Sequence, residues 1–222
     1  MHALIGALIF DFDGLILDTE SPEMEIWARL FSQAGGSFDY QAYLGTIGTY
    51  ANASYQPDVE LAKLMDHGTN PRQLVERVRK ESAERVAQQP PLPGVPELIR
   101  TARAAGLRLA VGSSSPAAWV RGHLRRLGLI ENFETIVTFD DVTESKPSPE
   151  IFLTVLARLN VNAEQALVLE DSQNGVLAAK RAGIRVAAVP NGVTAGQDFS
   201  LADEVLASLE NLDLEKYFPR VN

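Results

Sequence analysis

Leu4-Ile5-Gly6-Ala7-Leu8-Ile9-Phe10 runs straight into Asp11-Phe12-Asp13-Gly14, and this stretch decides how the chain is read. An unbroken apolar run of that length reads as a strand buried on both faces, as a parallel sheet requires. Side chains alternate along a strand, so Asp11 and Asp13 leave its end pointing the same way. Two neighbouring carboxylates repel, and one is pushed toward protonation unless a cation lies between them. Gly14 allows a sharp turn behind them. Alone, the segment is equally a strand that ends in a polar turn. Three later segments shift the balance.

Residues 107–111 form a second apolar run, followed by Gly112-Ser113-Ser114-Ser115-Pro116. Pro116 fits the first position of a helix and Ser115 its N-cap. Free amides and hydroxyls at a helix start suit an anion, although an ordinary serine cap would look the same. Next comes Lys146-Pro147-Ser148-Pro149. Pro147 disfavours the helical region for Lys146, which is expected on an extended approach, with a helix starting at Ser148 and Pro149. The third segment is Ala166-Leu167-Val168-Leu169, ending in Glu170-Asp171-Ser172. Acidic residues again stand just past a buried strand, the edge where open α/β sheets bind ligands.

Strand-like runs recur at residues 4–10, 107–111, 135–138, 166–169 and 185–189. Helical patterning at 95–105, 116–127, 149–159 and 175–182 separates the later ones. Such alternation predicts an α/β, doubly wound, Rossmann-like parallel sheet with helices on both faces. Residues 18–90 interrupt it. Helical patterning at 22–34, 57–67 and 71–88 fills that block, which closes on the proline-rich 88–94. The expected organisation is a core of residues 1–17 and 91–222, split by an all-helical insert at 18–90.

Composition narrows the function classes. A chain of 222 residues can bury one sizeable core and a smaller lobe. It contains no cysteine, which excludes disulfides and thiolate zinc sites. His2, His67 and His123 are scattered singly and read as structural or exposed. The net charge of −9 argues against a nucleic-acid partner and means that an anionic substrate needs local positive charge to enter. No apolar run is long enough to span a membrane, and no charged segment precedes residues 4–10, so that run is expected to be core strand.

Taken in order, Asp11-x-Asp13-Gly14, a small hydroxyl residue after the second strand, Lys146 and the pair Glu170-Asp171 resemble the haloacid dehalogenase-like hydrolase superfamily. The resemblance covers nearly the whole chain. Residues 11–20, D-F-D-G-L-I-L-D-T-E, and 170–176, E-D-S-Q-N-G-V, are similar to its β-phosphoglucomutase-like and sugar-phosphate phosphatase branch. The resemblance implies that the insert is a helical cap closing over the active site. The dehalogenase branch attacks carbon and lacks a second aspartate two residues after its nucleophile, so Asp13 favours attack on phosphorus.

Each residue then has an expected role. Phosphoryl transfer needs an in-line nucleophile, neutralised equatorial oxygens and a proton for the leaving group. Asp11 is the expected nucleophile, through an aspartyl-phosphate. Asp13 is expected to protonate the leaving alcohol and then take a proton from water. Mg2+ suits an all-oxygen site. The resemblance implies that Asp11, the backbone carbonyl of Asp13 and the acidic pair contact it, with Asp171 favoured over Glu170 as the direct ligand. Ser113 through its hydroxyl, Ser114 through its amide, and Lys146 are expected to hold the phosphate.

The insert departs from the mutase pattern. Mutases of this branch carry a histidine twelve residues after the nucleophile; Glu23 stands there in this chain. Their arginine-containing substrate loop corresponds to residues 45–55, which hold no basic residue. Both differences favour a phosphatase over the alternative, a phosphosugar mutase. Glu20, Glu23 and Lys80 are possible substrate contacts. For Lys80 a solvated basic face, shared with Arg77, Arg79 and Arg85, is the favoured alternative. For Glu20 it is a favourable acid at a helix start. Trp27, Leu30 and Phe31 share one helix face and read as cap core. An inactive binding protein on the same fold is a minor alternative, disfavoured because Asp11, Asp13, Lys146 and Asp171 are all present. The expected protein is a cytoplasmic monomer or weak homodimer acting on a small phosphomonoester, a sugar or polyol phosphate.

Overall fold

The computed structural model describes residues 5–47, 55–65 and 69–217. Leu4, His2, His67 and most of the 45–55 loop (residues 48–54) therefore lie outside the described residues. The strands are β1 (Ala7–Phe10), β2 (Arg108–Gly112), β3 (Thr135–Val137), β4 (Ala166–Glu170), β5 (Arg185–Ala188) and β6 (Glu204–Val205). They form one sheet in the order β3-β2-β1-β4-β5-β6, every pair parallel. β1 is central. Phe10 is registered with Val111 on one side and with Leu169 on the other, so Asp11 emerges between the carboxyl ends of β2 and β4.

Alternation within β1 explains why the run carries no polar residue. Leu8 and Phe10 face one layer, with Leu98, Ile99, Val120 and Leu124. Ala7 and Ile9 face the other, with Ile151, Phe152, Val155 and Val176. Both faces are dry, so both need apolar side chains. The order β3-β2-β1 to one side and β4-β5-β6 to the other reverses direction at β1, and a crevice opens beyond the carboxyl ends there. β6 was not expected from sequence. At two residues on the sheet edge it leaves no periodic pattern to read.

Among the described residues four helices occupy the insert: α1 (Glu20–Gln33), α2 (Tyr40–Leu44), α3 (Pro57–Leu64) and α4 (Pro71–Val86). α1 starts two residues earlier than expected, with Glu20 inside its first turn. α2 was unforeseen. It is a single turn capped by Asp39, whose carboxylate accepts from Ala42 N–H at 2.9 Å. The insert has its own apolar cluster, built on Ile26, Trp27, Leu30, Phe31, Phe38, Tyr43, Leu61, Leu74 and Val78. Val193, from the loop after β5, joins that cluster. Asn174 Nδ2 donates to the Ile47 carbonyl (2.9 Å) and Gln197 Nε2 to the Leu44 carbonyl (2.8 Å), so insert and core are also tied by hydrogen bonds.

The remaining helices are α5 (Val95–Ala104), α6 (Ala117–Arg126), α7 (Glu150–Leu159), α8 (Gln173–Arg181) and the short α9 (Leu214–Tyr217). α5 and α6 back one face of the sheet, α7 and α8 the other. This is the doubly wound architecture with a helical insert that the strand–helix alternation predicts. Among the described residues no helix is long and apolar enough to cross a membrane.

Candidate active site

Asp11 leaves β1 with its N–H donating to the Leu169 carbonyl at 2.9 Å, which continues the ladder one residue past the strand. Its carboxylate meets Lys146, whose Nζ lies 2.5 Å from Asp11 Oδ1 and 2.6 Å from Glu170 Oε1. All three side chains are buried, Lys146 to 2% exposure and Glu170 to 0%. Lys146 reaches the cluster from the loop before α7. It lies in a turn closed by Ser148 N–H on the Ser145 carbonyl (3.0 Å), and the Lys146–Pro147 peptide is cis.

Glu170 is held on every side. Besides Lys146, its Oε2 accepts from Asp171 N–H (3.1 Å), Ser172 N–H (3.2 Å) and Ser172 Oγ (3.1 Å). Asp171 is bound by Asn191, whose Nδ2 donates to Asp171 Oδ2 (2.8 Å) and to the Gly14 carbonyl (3.1 Å). Gly14 has φ 75°, and a Cβ there would lie 2.2 Å from Asp171 Oδ2. Only glycine lets the turn after Asp13 pass this close.

The electrostatics call for added positive charge. Burial, with the neighbouring charge of Glu170, pushes Asp11 up to about 8 despite Lys146. Burial and then Glu20, Glu170 and Asp11 raise Asp171 well above the carboxylate range. Burial opposes the charge on Lys146, but Asp11 and Glu170 outweigh it and hold the lysine protonated. Oxygens of Asp11, Glu170 and Asp171 lie within 4.8 Å of one another. Three buried acids around one lysine, with oxygen as the only donor atom, fit a hard divalent cation. Asp11 and Asp171 would hold it by their side chains, because both Glu170 oxygens are already engaged.

Asp13 lines the same cleft with a separate set of partners. Its Oδ1 accepts from Trp119 Nε1 at 2.9 Å, and its Oδ2 from Ser115 Oγ at 2.7 Å and Ser113 Oγ at 3.3 Å. Ser115 is therefore not the cap of α6 as expected. Pro116 takes that place, and Asp140 Oδ2 accepts from Ala117 N–H (2.7 Å), leaving the Ser115 hydroxyl for Asp13. Ser113 is fully buried, its Oγ accepting from Ser115 N–H (3.0 Å), while Ser114 Oγ is buried without a partner.

A cleft of about 640 Å³ opens over these groups, floored by Asp11, Asp13, Ser114, Lys146 and Asp171 and roofed by the insert. Glu20 and Glu23 both line it, with Arg79, Tyr43 and Trp27. Glu20 Oε2 is buried without a hydrogen-bond partner, and burial with the charges of Asp13 and Asp11 raises its pKa far above normal. Glu23 is also raised by burial, against a 3.3 Å hydrogen bond from Trp27 Nε1 and the charge of Arg79. Trp27 is thus both insert core and cleft wall. Lys80 is exposed and outside the cleft; Arg79, one residue earlier, lines it instead. A second hollow of about 690 Å³ lies against α5 and α9, but its charged lining is acidic only (Glu97, Glu210, Asp213, Glu215), which repels a phosphate.

Asn191, Trp119 and Arg79 were not singled out from sequence. Asn191 carried a usable signal: it stands two residues past the apolar run 185–189, near the strand-end position that marks Asp11 and Glu170.

The family model of the haloacid dehalogenase-like hydrolases matches residues 8–189. The chain belongs to that family. It is 38% identical over 219 residues to the YhcW protein of Bacillus subtilis, covering 99% of each chain. It is 34% identical over 178 residues to a phosphorylated carbohydrates phosphatase of Thermotoga maritima, covering 80% of this chain and 82% of that one. Among solved structures, CbbY of Rhodobacter sphaeroides in complex with phosphate superposes with a TM-score of 0.70 at 31% identity, covering 94% of this chain and 96% of that one. The expected class of enzyme, a phosphoric monoester hydrolase, agrees with these relatives.

Proposed function

We propose that the chain is a magnesium-dependent phosphatase that hydrolyses a small sugar or polyol monophosphate through an aspartyl-phosphate on Asp11. The observation that carries this reading is the placement of Asp11. Its carboxylate lies at the cleft floor, beside one buried lysine and two buried acids, with Asp13 lining the same cleft and held by three donors.

In this reading an Asp11 oxygen forms a bond to phosphorus as the ester P–O bond breaks. The leaving oxygen keeps that electron pair and takes the proton of Asp13. Water then attacks the acyl phosphate and gives a proton to Asp13, and the Asp11 carboxylate is released with phosphate. Lys146 neutralises Asp11 and the incoming phosphate oxygens, and the Ser113 hydroxyl and Ser114 amide bind that phosphate from the strand end. A magnesium ion at Asp11, Asp171 and the Asp13 carbonyl would supply the remaining charge neutralisation. Tyr43, Glu20 and Glu23 give the roof hydrogen-bonding groups suited to neutral hydroxyls.

The test is phosphate release from a panel of hexose, pentose and glycerol phosphates, with magnesium, with EDTA, and with magnesium restored. The parent should be active only with the metal, and Asp11→Asn should be inactive while its circular dichroism is unchanged. Asp11→Asn retaining a tenth of the parent rate, or full activity in EDTA, would refute the proposal.

A further inference from the structure

We propose that Trp119 is a positioning residue for proton transfer, its indole N–H fixing which Asp13 oxygen carries the acid proton. The inference rests on the reading of Asp13 as general acid given above. Trp119 stands in the first turn of α6 and donates to Asp13 Oδ1 at 2.9 Å. Its ring is held in turn. His123, one helical turn on, packs edge-on at 4.3 Å between centroids, and the His123 ring lies tilted against buried Phe12 at 6.3 Å. Phe12 is the residue between the two aspartates, so the stack runs from the α6 helix back to the strand end.

The two Asp13 oxygens are chemically unequal in this setting. An indole N–H donates and never accepts. It occupies one lone pair of Oδ1 whatever the protonation state of Asp13. The hydroxyls at Oδ2, on Ser115 (2.7 Å) and Ser113 (3.3 Å), can turn and accept. A proton on Oδ2 therefore keeps every partner bonded. Trp119 thus assigns the proton to Oδ2 and locks the plane of a carboxyl that lines the cleft. General acid catalysis contributes only when donor and leaving atom are aligned.

Leaving-group dependence separates this role from a structural one. An alkoxide leaving group needs the proton; p-nitrophenolate does not. kcat/KM reports only the steps through release of the alcohol, so the later attack of water, which also uses Asp13, does not enter it. Trp119→Phe keeps the aromatic stack and removes the N–H. With magnesium present, it is expected to lower kcat/KM for glycerol phosphate by about tenfold or more, and for p-nitrophenyl phosphate by less than about threefold. Ser115→Ala, which removes the 2.7 Å donor without touching the ring, should show the same selectivity. Asp13→Asn is the reference and should show the largest selective loss.

If Asp13→Asn is selective while Trp119→Phe and Ser115→Ala slow both esters equally, or neither, the positioning role is overturned and the general-acid reading stands. If Asp13→Asn itself is unselective, Asp13 is not the acid and the inference falls with that reading.

Discussion

Gly175 offers the sharpest test of how the acidic floor is packed. It is the third residue of α8, and a Cβ there would lie 1.9 Å from both the carboxyl carbon and Oε1 of Glu170. Carbon contacts relax near ~3.5 Å, so Gly175→Ala must drive Glu170 back by about 1.5 Å. The carboxylate holds Lys146 at 2.6 Å and three donors of its own loop at 3.1 to 3.2 Å. A retreat of that size carries it out of range of all four. Lys146 then keeps Asp11 alone, and a fully buried carboxylate loses its partners. Disrupting a buried ion pair costs about 3–5 kcal/mol. On a Glu170→Ala background the obstacle is gone. Alanine in place of a helical glycine should then stabilise by about 0.5–1 kcal/mol. The same substitution is therefore expected to change sign between backgrounds, with a coupling of about 4 kcal/mol. Urea denaturation of the four proteins of this cycle measures it. EDTA should be present, so that metal bound to the native state does not add to its stability. Gly175→Ala costing less than about 1 kcal/mol in the parent, or the same in both backgrounds, would refute the packing argument.

Two further predictions concern stability against pH and the choice of substrate. Asp203 accepts from Lys180 Nζ (2.9 Å) and Val186 N–H (2.8 Å); burial raises its pKa, but these partners outweigh it and hold it below the usual range. Its folded pKa lies below the unfolded one, so its contribution is present above about pH 4 and is lost as pH falls through the depressed value. Asp203→Asn should lower the urea midpoint at neutral pH, with the gap to the parent closing in acid; a gap independent of pH would refute it. In the cleft, Glu20, Glu23 and Asp58 stand around the single basic residue Arg79 among the described roof residues. A monophosphate such as glucose 6-phosphate should then exceed fructose 1,6-bisphosphate in kcat/KM, and β-glucose 1-phosphate should release phosphate rather than isomerise. A tenfold preference for the bisphosphate, or isomerisation outpacing release, would point to a mutase.

What could be read from the sequence follows from which forces are local. The strands of a parallel sheet are dry on both faces, so residues 4–10 and 166–169 stand out as unbroken apolar runs, and the charges that end them mark the ligand edge. β6 and α2 are one turn or less of structure, held by neighbours rather than by their own pattern, and no window of residues exposes them. Pairings such as Lys146 with Glu170, or Trp119 with Asp13, join residues 24 and 106 apart. Spacing could place each residue at the sheet edge but could not say which donor meets which oxygen. Ser115 shows the limit most clearly. A serine before a helix is a sound cap by local rules, yet Asp140, from the turn after β3, takes the helix amide and releases the hydroxyl to Asp13. Lys80 fails for a geometric reason. Successive residues on a helix are rotated by about 100°, so Lys80 is turned well away from the direction in which Arg79 projects. Val75, Arg79 and Ala83, four apart, line the cleft together, while Lys80 turns away to solvent. A cationic cleft residue in α4 had to fall in that register, and Arg79 does.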